Sequence, residues 1–206
     1  FQYLNPPIMD DPNYQQYIDL CDITFKIAPA ILHKVNNANE SFLFKAVEKG
    51  NLPLVKHFVK AGIPCDLPNN LGNTPLWLAC AKKYPCIITE LVELGANVNA
   101  ANLKNNIPMS SICQRGPLKI AEMLIAMGTN LEHINSNGDS LILLACRNGQ
   151  EQVLELLLQY ASIEFTNHIA TIDGFNAIFA AVESNKLNWI DLLIKKGIDF
   201  LLLDNE

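Results

Sequence analysis

The chain has 206 residues, half of them apolar, a net charge of −6 and an isoelectric point of about 5.2. That length and apolar content are ample for a continuous core. The acidic balance argues against a general nucleic-acid binder, which is usually basic, and no run of 18 apolar residues marks a membrane span.

In chain order, Asp11-Pro12 can start a helix carrying Tyr17, Ile18, Cys21 and Phe25, and Pro29 opens a short second one over 30–35. Residues 1–38 show no repeat. They are expected to form a helical cap over the apolar side of the neighbouring segment, with the tail of a preceding domain as the alternative. From about residue 39 a period of 33 takes over. Leu43, Leu76, Met109 and Ile142 keep it, as do Val47, Cys80, Cys113 and Cys146, and Gly62, Gly95, Gly128 and Ala161. Such self-similarity marks a repeat array, in which each unit contacts mainly its neighbours.

The clearest copy runs from Asn70 to Ala101. Thr74 can cap a helix with Pro75 in its first turn, and Leu76, Ala79 and Cys80 share one face. Tyr84-Pro85 breaks the helix. A second helix buries Ile87, Ile88, Leu91 and Val92, and Gly95 ends it. The phase predicts helix pairs over 41–60, 74–94, 107–127, 140–160 and 176–196, within copies at about 39–69, 70–101, 102–134, 135–170 and 171–206. The step from Ile142 to Ile178 is 36 residues, so the loop 162–173 is expected to be long.

Thr74-Pro75-Leu76-Trp77-Leu78-Ala79, with Gly95-Ala96-Asn97-Val98-Asn99-Ala100 after it, resembles the ankyrin repeat. Five copies in phase cover 39–206. The resemblance implies an all-α repeat solenoid of helix-turn-helix units with hairpin fingers. It also implies a non-catalytic protein–protein interaction module, a scaffold or adaptor that binds on its concave face. The histidine of the family motif is replaced by Phe44, Trp77, Ser110, Leu143 and Phe179, and the fourth copy ends in Ala161-Ser162 instead of Gly-Ala. Asn99 resembles the acceptor of asparaginyl hydroxylases, although an Asn of the hairpin turn serves structure too.

Six cysteines are present, with no Cys-x-x-Cys pair. Cys80, Cys113 and Cys146 share one repeat position and read as buried thiols, suited to a reducing cytoplasm. A protein delivered into a host cell is the variant of this localisation if the chain belongs to an effector. The four histidines are scattered, and the acidic residues fall on outer helices and loop tips. No nucleophile elbow, phosphate loop or metal-ligand spacing occurs, so no catalytic residue, metal or cofactor is expected. Asn stands at 23 positions and Arg at two, a usage expected of an AT-rich genome.

By phase, the concave face takes Lys82, Arg115 and Arg147 at inner-helix ends, with Glu48 and Glu183 flanking them, and Lys104, Asn106, Asn137, Asp139, Asp173 and Phe175 from the fingers. Both arginines fall on this strip. The expected contacts for a protein partner are therefore Trp77, Lys82, Lys104, Arg115, Arg147, Asp173 and Phe175, and the partner segment is expected to be acidic or phosphorylated. No nucleic-acid partner and no membrane insertion are expected. The chain is expected to be a monomeric array within a longer protein. The alternative function is an accessory or targeting segment of a larger enzyme or secreted effector.

Overall fold

The computed structural model describes residues 14–160 and 177–196. The helix start at Asp11-Pro12, the long loop 162–173 and two expected contacts, Asp173 and Phe175, lie outside the described residues. Among those described, regular structure is helical, with only isolated bridges Val35–Ser41 and Ile134–Ser140. The helices are α1 (Tyr14–Ile27), α2 (Phe42–Glu48), α3 (Leu52–Lys60), α4 (Pro75–Lys82), α5 (Pro85–Glu93), α6 (Pro108–Arg115), α7 (Leu118–Ala126), α8 (Leu141–Arg147), α9 (Glu151–Tyr160), α10 (Ala177–Glu183) and α11 (Leu187–Lys195). From α2 onward they form five pairs, inner then outer, that match the expected spans to within a residue at each end.

Local chemistry sets these limits. Ser41, Thr74 and Ser140 cap α2, α4 and α8, each oxygen accepting from the amide three residues on, at 3.1, 3.2 and 3.1 Å. Asn51 caps α3 in the same way, at 3.1 Å from Leu54 N. The outer helices α3, α5 and α7 end where Gly62, Gly95 and Gly128 adopt φ of 99°, 95° and 88°, a region that side chains with a Cβ avoid.

The chain divides between Asn97 and Val98 into two compact units. In the first, α2 packs on α4 and α3 on α5; in the second, α6 packs on α8 and α8 on α10, while α7 packs on α9 and α9 on α11. Each unit is a short all-α solenoid. Leu43, Leu76, Met109 and Ile142 are at most 2% exposed and Val47, Cys80, Cys113 and Cys146 at most 1%. Burying one such aliphatic side chain contributes about 1.5–3 kcal/mol.

The N-terminal segment carries the register further than its residue pattern suggests. Ile27 precedes Phe42 by 15 residues, as Lys60 precedes Pro75, Glu93 precedes Pro108 and Ala126 precedes Leu141. α1 thus stands in the position of an outer helix. Phe25 meets Phe42 and Phe58 edge-on, at ring-centroid distances of 6.4 and 6.0 Å, and Asp22 lies 3.2 Å from His57 Nε2. The short helix expected over 30–35 is instead a 3₁₀ turn at Pro29–His33.

Between helix pairs the fingers are organised by asparagine. Asn36, Asn69, Asn102 and Asn135 recur every 33 residues. Each Oδ1 accepts the amides two and four residues on, at 2.9–3.0 Å. Each side chain therefore closes its own hairpin. Three residues later stand Asn39, Gly72, Asn105 and Gly138, all at positive φ, which Gly and Asn tolerate best. Asparagine then ties one finger to the next. In the first unit Asn39 Nδ2 donates to Pro68 O and Asn70 Nδ2 to Asn37 O, at 2.8 and 3.0 Å. In the second, Asn105 Nδ2 donates to Ile134 O at 2.7 Å, and Asn135 Nδ2 to Asn106 Oδ1 at 3.2 Å. The abundance of Asn thus has a structural cause in addition to any bias of the genome.

The buried thiols hold no charge near neutral pH. Burial pushes the Cys80 and Cys113 thiols far above their ordinary range and Cys146 up to about 12. We predict that a thiol reagent modifies exposed Cys86 quickly in native protein, while Cys80, Cys113 and Cys146 react only on unfolding. Peptide mapping after timed labelling checks this. Cys113→Ser should cost about 1–3 kcal/mol in chemical denaturation, because a hydroxyl would be buried among apolar groups, and Cys113→Asp should leave its unit unfolded. For the fingers, Asn69→Ala should cost about 1–2 kcal/mol by losing two backbone acceptor bonds. Asn69→Asp keeps both acceptors and should stay within about 0.5 kcal/mol of the parent; equal losses in the two variants would assign the effect to something other than the acceptor bonds.

Candidate functional site

The inner helices end in a row of exposed positions where polar and basic residues collect. Unpaired carbonyls leave partial negative charge at a helix C-terminus, so cations there are favoured by about 0.3–1 kcal/mol. In the first unit these positions carry Lys49, Lys82 and Lys83, all exposed. None of the three forms an ion pair among the described residues. Lys83 caps α4 in the left-handed region, at φ 62°. Lys45 is committed locally, at 3.1 Å from Glu40 and 2.7 Å from Glu48. Hydrogen bonds from Asn36 and then Lys45 hold the Glu40 carboxyl below its ordinary range.

Trp77 is half-buried near the start of α4, and its indole nitrogen is buried with no hydrogen-bond partner among the described residues. It keeps some surface for contact, but much of the ring serves the core. The same register position in α6 holds Ser110, whose hydroxyl is likewise buried and without a partner. Neither side chain makes a polar link there among the described residues.

In the second unit Arg115 is exposed at the end of α6 and forms no ion pair among the described residues. Lys104 is exposed on a finger, its carbonyl accepting from Ser136 N at 3.0 Å. An open depression of about 560 Å³ is lined by Gly116, Pro117, Gly149 and Glu151 among others. A Cβ on Gly116 would collide with the Ile112 side chain, so this turn requires glycine.

Three of the expected surface groups make contacts within the fold. Arg147 Nη1 donates to Asp139 Oδ1 at 2.6 Å, and the Asp139 side chain is only 4% exposed. Asp139 also accepts from Asn135 Nδ2 at 3.2 Å. A carboxylate buried in a finger needs a cation and hydrogen bonds, and Asp139 has both. Asn106 turns inward as well, its Oδ1 accepting from Asn135. Asn137 remains exposed. The residue pattern held no hint of the Arg147–Asp139 pair, since its members lie on different elements eight residues apart.

Asn99 is occupied in the same structural manner. Its Oδ1 accepts from Asn130 N at 2.7 Å and its Nδ2 donates to Gly128 O at 3.0 Å. In the first unit Asp66, at the equivalent position, accepts from Asn97 N at 3.0 Å. These bonds tie the end of one outer helix to the finger before it. Among the described residues no three His, Cys, Asp or Glu side chains converge to hold a metal ion, and no described helix is long and apolar enough to cross a membrane.

The two arginines should separate in a stability assay. Arg147→Ala removes the cation that meets buried Asp139 and should cost about 1–3 kcal/mol. Arg115→Ala should stay within about 0.5 kcal/mol of the parent. Combining Arg147→Ala with Asp139→Asn should recover part of the loss, a coupling that a double-mutant cycle in urea would detect.

No curated protein matches the chain in a sequence comparison. The family described as ankyrin repeats (3 copies) matches residues 15–102 and 109–204, taking in α1 as well as the five later pairs. With the helix pairs, the recurring fingers and this match, the chain belongs to the ankyrin-repeat family, whose repeats are protein–protein interaction modules.

Proposed function

We propose that the chain is a scaffold or adaptor that recruits a protein partner through an acidic or phosphorylated segment. In the first unit the contacts are Trp77 and Lys82, with Lys83 beside them. In the second they are Lys104 and Arg115. Arg147 adds an exposed cation that is already paired with Asp139. The observation that carries this reading is the uncompensated charge. In an acidic protein, Lys49, Lys82, Lys83 and Arg115 stand exposed at inner-helix ends without an ion pair among the described residues. Such cations create a local field opposite to the net charge and steer an acidic segment. Arg adds a planar fork that matches a carboxylate or phosphate, and Trp and Arg are enriched among residues that dominate interface energy. The Phe25 contacts support reading the segment before residue 39 as the cap of the first helix pair.

The test uses a panel of fluorescent peptides rich in Asp and Glu, with phosphorylated and charge-neutral counterparts of equal length. The acidic and phosphorylated sets should bind and weaken steeply with salt, as exposed charge pairs do. Reversing charge in one unit with Lys82→Glu and Lys83→Glu, and in the other with Arg115→Glu, should weaken binding at least tenfold in sum, about 1.4 kcal/mol. The helical spectrum should stay native. Peptides that bind equally when neutral, or that ignore all three reversals, would place recognition elsewhere on the molecule.

A further inference from the structure

The turn after α4 holds a conformational outlier. Lys83 stands at φ 62° and ψ 48°, in the left-handed region. Among the described residues, every other residue at positive φ is Gly or Asn. The same repeat position holds Gly50 at φ 68°, Gly149 at 71° and Asn185 at 52°. In the third copy Gly116 precedes Pro117 and is extended instead, at φ −92°. The Cβ of a lysine crowds the following carbonyl oxygen in this region, a clash that glycine lacks and that asparagine offsets by local hydrogen bonding. Tyr84-Pro85 does not force the conformation, because proline restricts the residue directly before it, and that is Tyr84 at φ −102°. Nor does the helix dipole require a cation at 83, since Lys82 already meets the C-terminus of α4. A residue held in a disfavoured conformation, where its repeat counterparts use glycine, points to a role for its side chain.

We propose that Lys83 is held there to anchor a phosphate group on the partner segment, with Lys49 and Lys82 completing the site. This rests on the acidic-or-phosphorylated reading above and narrows it to one chemistry and one anchor. α2 and α4 are successive inner helices that pack on each other. Lys49 and Lys82, one period apart, therefore stand at neighbouring helix ends. All three lysines are exposed and none forms an ion pair among the described residues. Glu48, the carboxylate next to Lys49 in the chain, is held by Lys45 at 2.7 Å. Three unopposed cations exceed what one carboxylate can balance, whereas a phosphomonoester carries about 1.5–2 negative charges near neutral pH. The identity of the cations agrees. Recognition of a planar carboxylate favours the arginine fork, and the first unit contains no arginine. Lysine acts as a point charge on a flexible stem, which suits a tetrahedral phosphate.

The experiment measures binding of the fluorescent peptide panel to the 206-residue chain, with a further set in which glutamate replaces each phosphoserine. The phosphorylated peptides should bind about fivefold or more tighter than the glutamate set. Lys83→Ala and Lys83→Gly should each weaken phosphopeptide binding by about fivefold or more, with a native helical spectrum. Lys83→Arg keeps the charge and should bind within about twofold of the parent. Thermal melts separate backbone strain from charge. Both neutral variants lack the ammonium group, but only glycine removes the Cβ, so Lys83→Gly should melt about 2–4 °C above Lys83→Ala. Equal melting temperatures would show that position 83 is unstrained and overturn the proposal. So would neutral variants that bind like the parent, or a glutamate set that binds as tightly as the phosphorylated one. In each of those cases, weakening by Lys82→Glu and Arg115→Glu would leave the broader acidic reading standing. If no peptide binds, or if those two reversals also change nothing, both fall together.

Discussion

A pair of short helices cannot bury its own apolar face, and the rest of this structure depends on that constraint. Each inner helix here has seven or eight residues, too few to be stable alone in water. Leu43 or Met109 reaches near-zero exposure only because another pair packs alongside. The apolar positions must then recur at the period of the pair. That recurrence is the 33-residue signal, and it leaves the outer edges of the fold free to vary.

Stacking leaves the connecting segments with polar backbone to satisfy, and asparagine does most of this. A side chain that accepts two amides of its own turn makes a finger rigid without a β-sheet. A side chain that donates to the neighbouring finger keeps the pairs in step. Where an aspartate is buried in this framework, as Asp139 is, a cation meets it, and Arg147 fills that need. The framework thus draws on the same residue types that could serve a binding face. Charge counted along the sequence therefore overstates the charge available to a partner.

The proposed function rests on groups that the framework does not consume. The lysines at the ends of α2 and α4 and the arginine at the end of α6 meet no described carboxylate, whereas Lys45 and Arg147 do.

The helix pairs, their limits and the buried columns are legible in the residues alone. Caps such as Thr74, terminators such as Gly95 and the spacing of Leu43, Leu76, Met109 and Ile142 act over a few residues or repeat in register, so they need no structure to be read. The finger asparagines carry the same legible period at 36, 69, 102 and 135, but composition alone draws attention away from it. Which charges are available was settled by packing in three dimensions. Arg115 and Arg147 look alike in sequence, each the last residue of an inner helix, yet only Arg147 meets a carboxylate in its finger. The fold also places α1 in the register of an outer helix, since its contact with Phe42 and Phe58 is made between side chains far apart in the chain. A position's neighbours across space set its solvation and its electrostatic partner, and a one-dimensional period records the neighbour along the helix but not the one opposite.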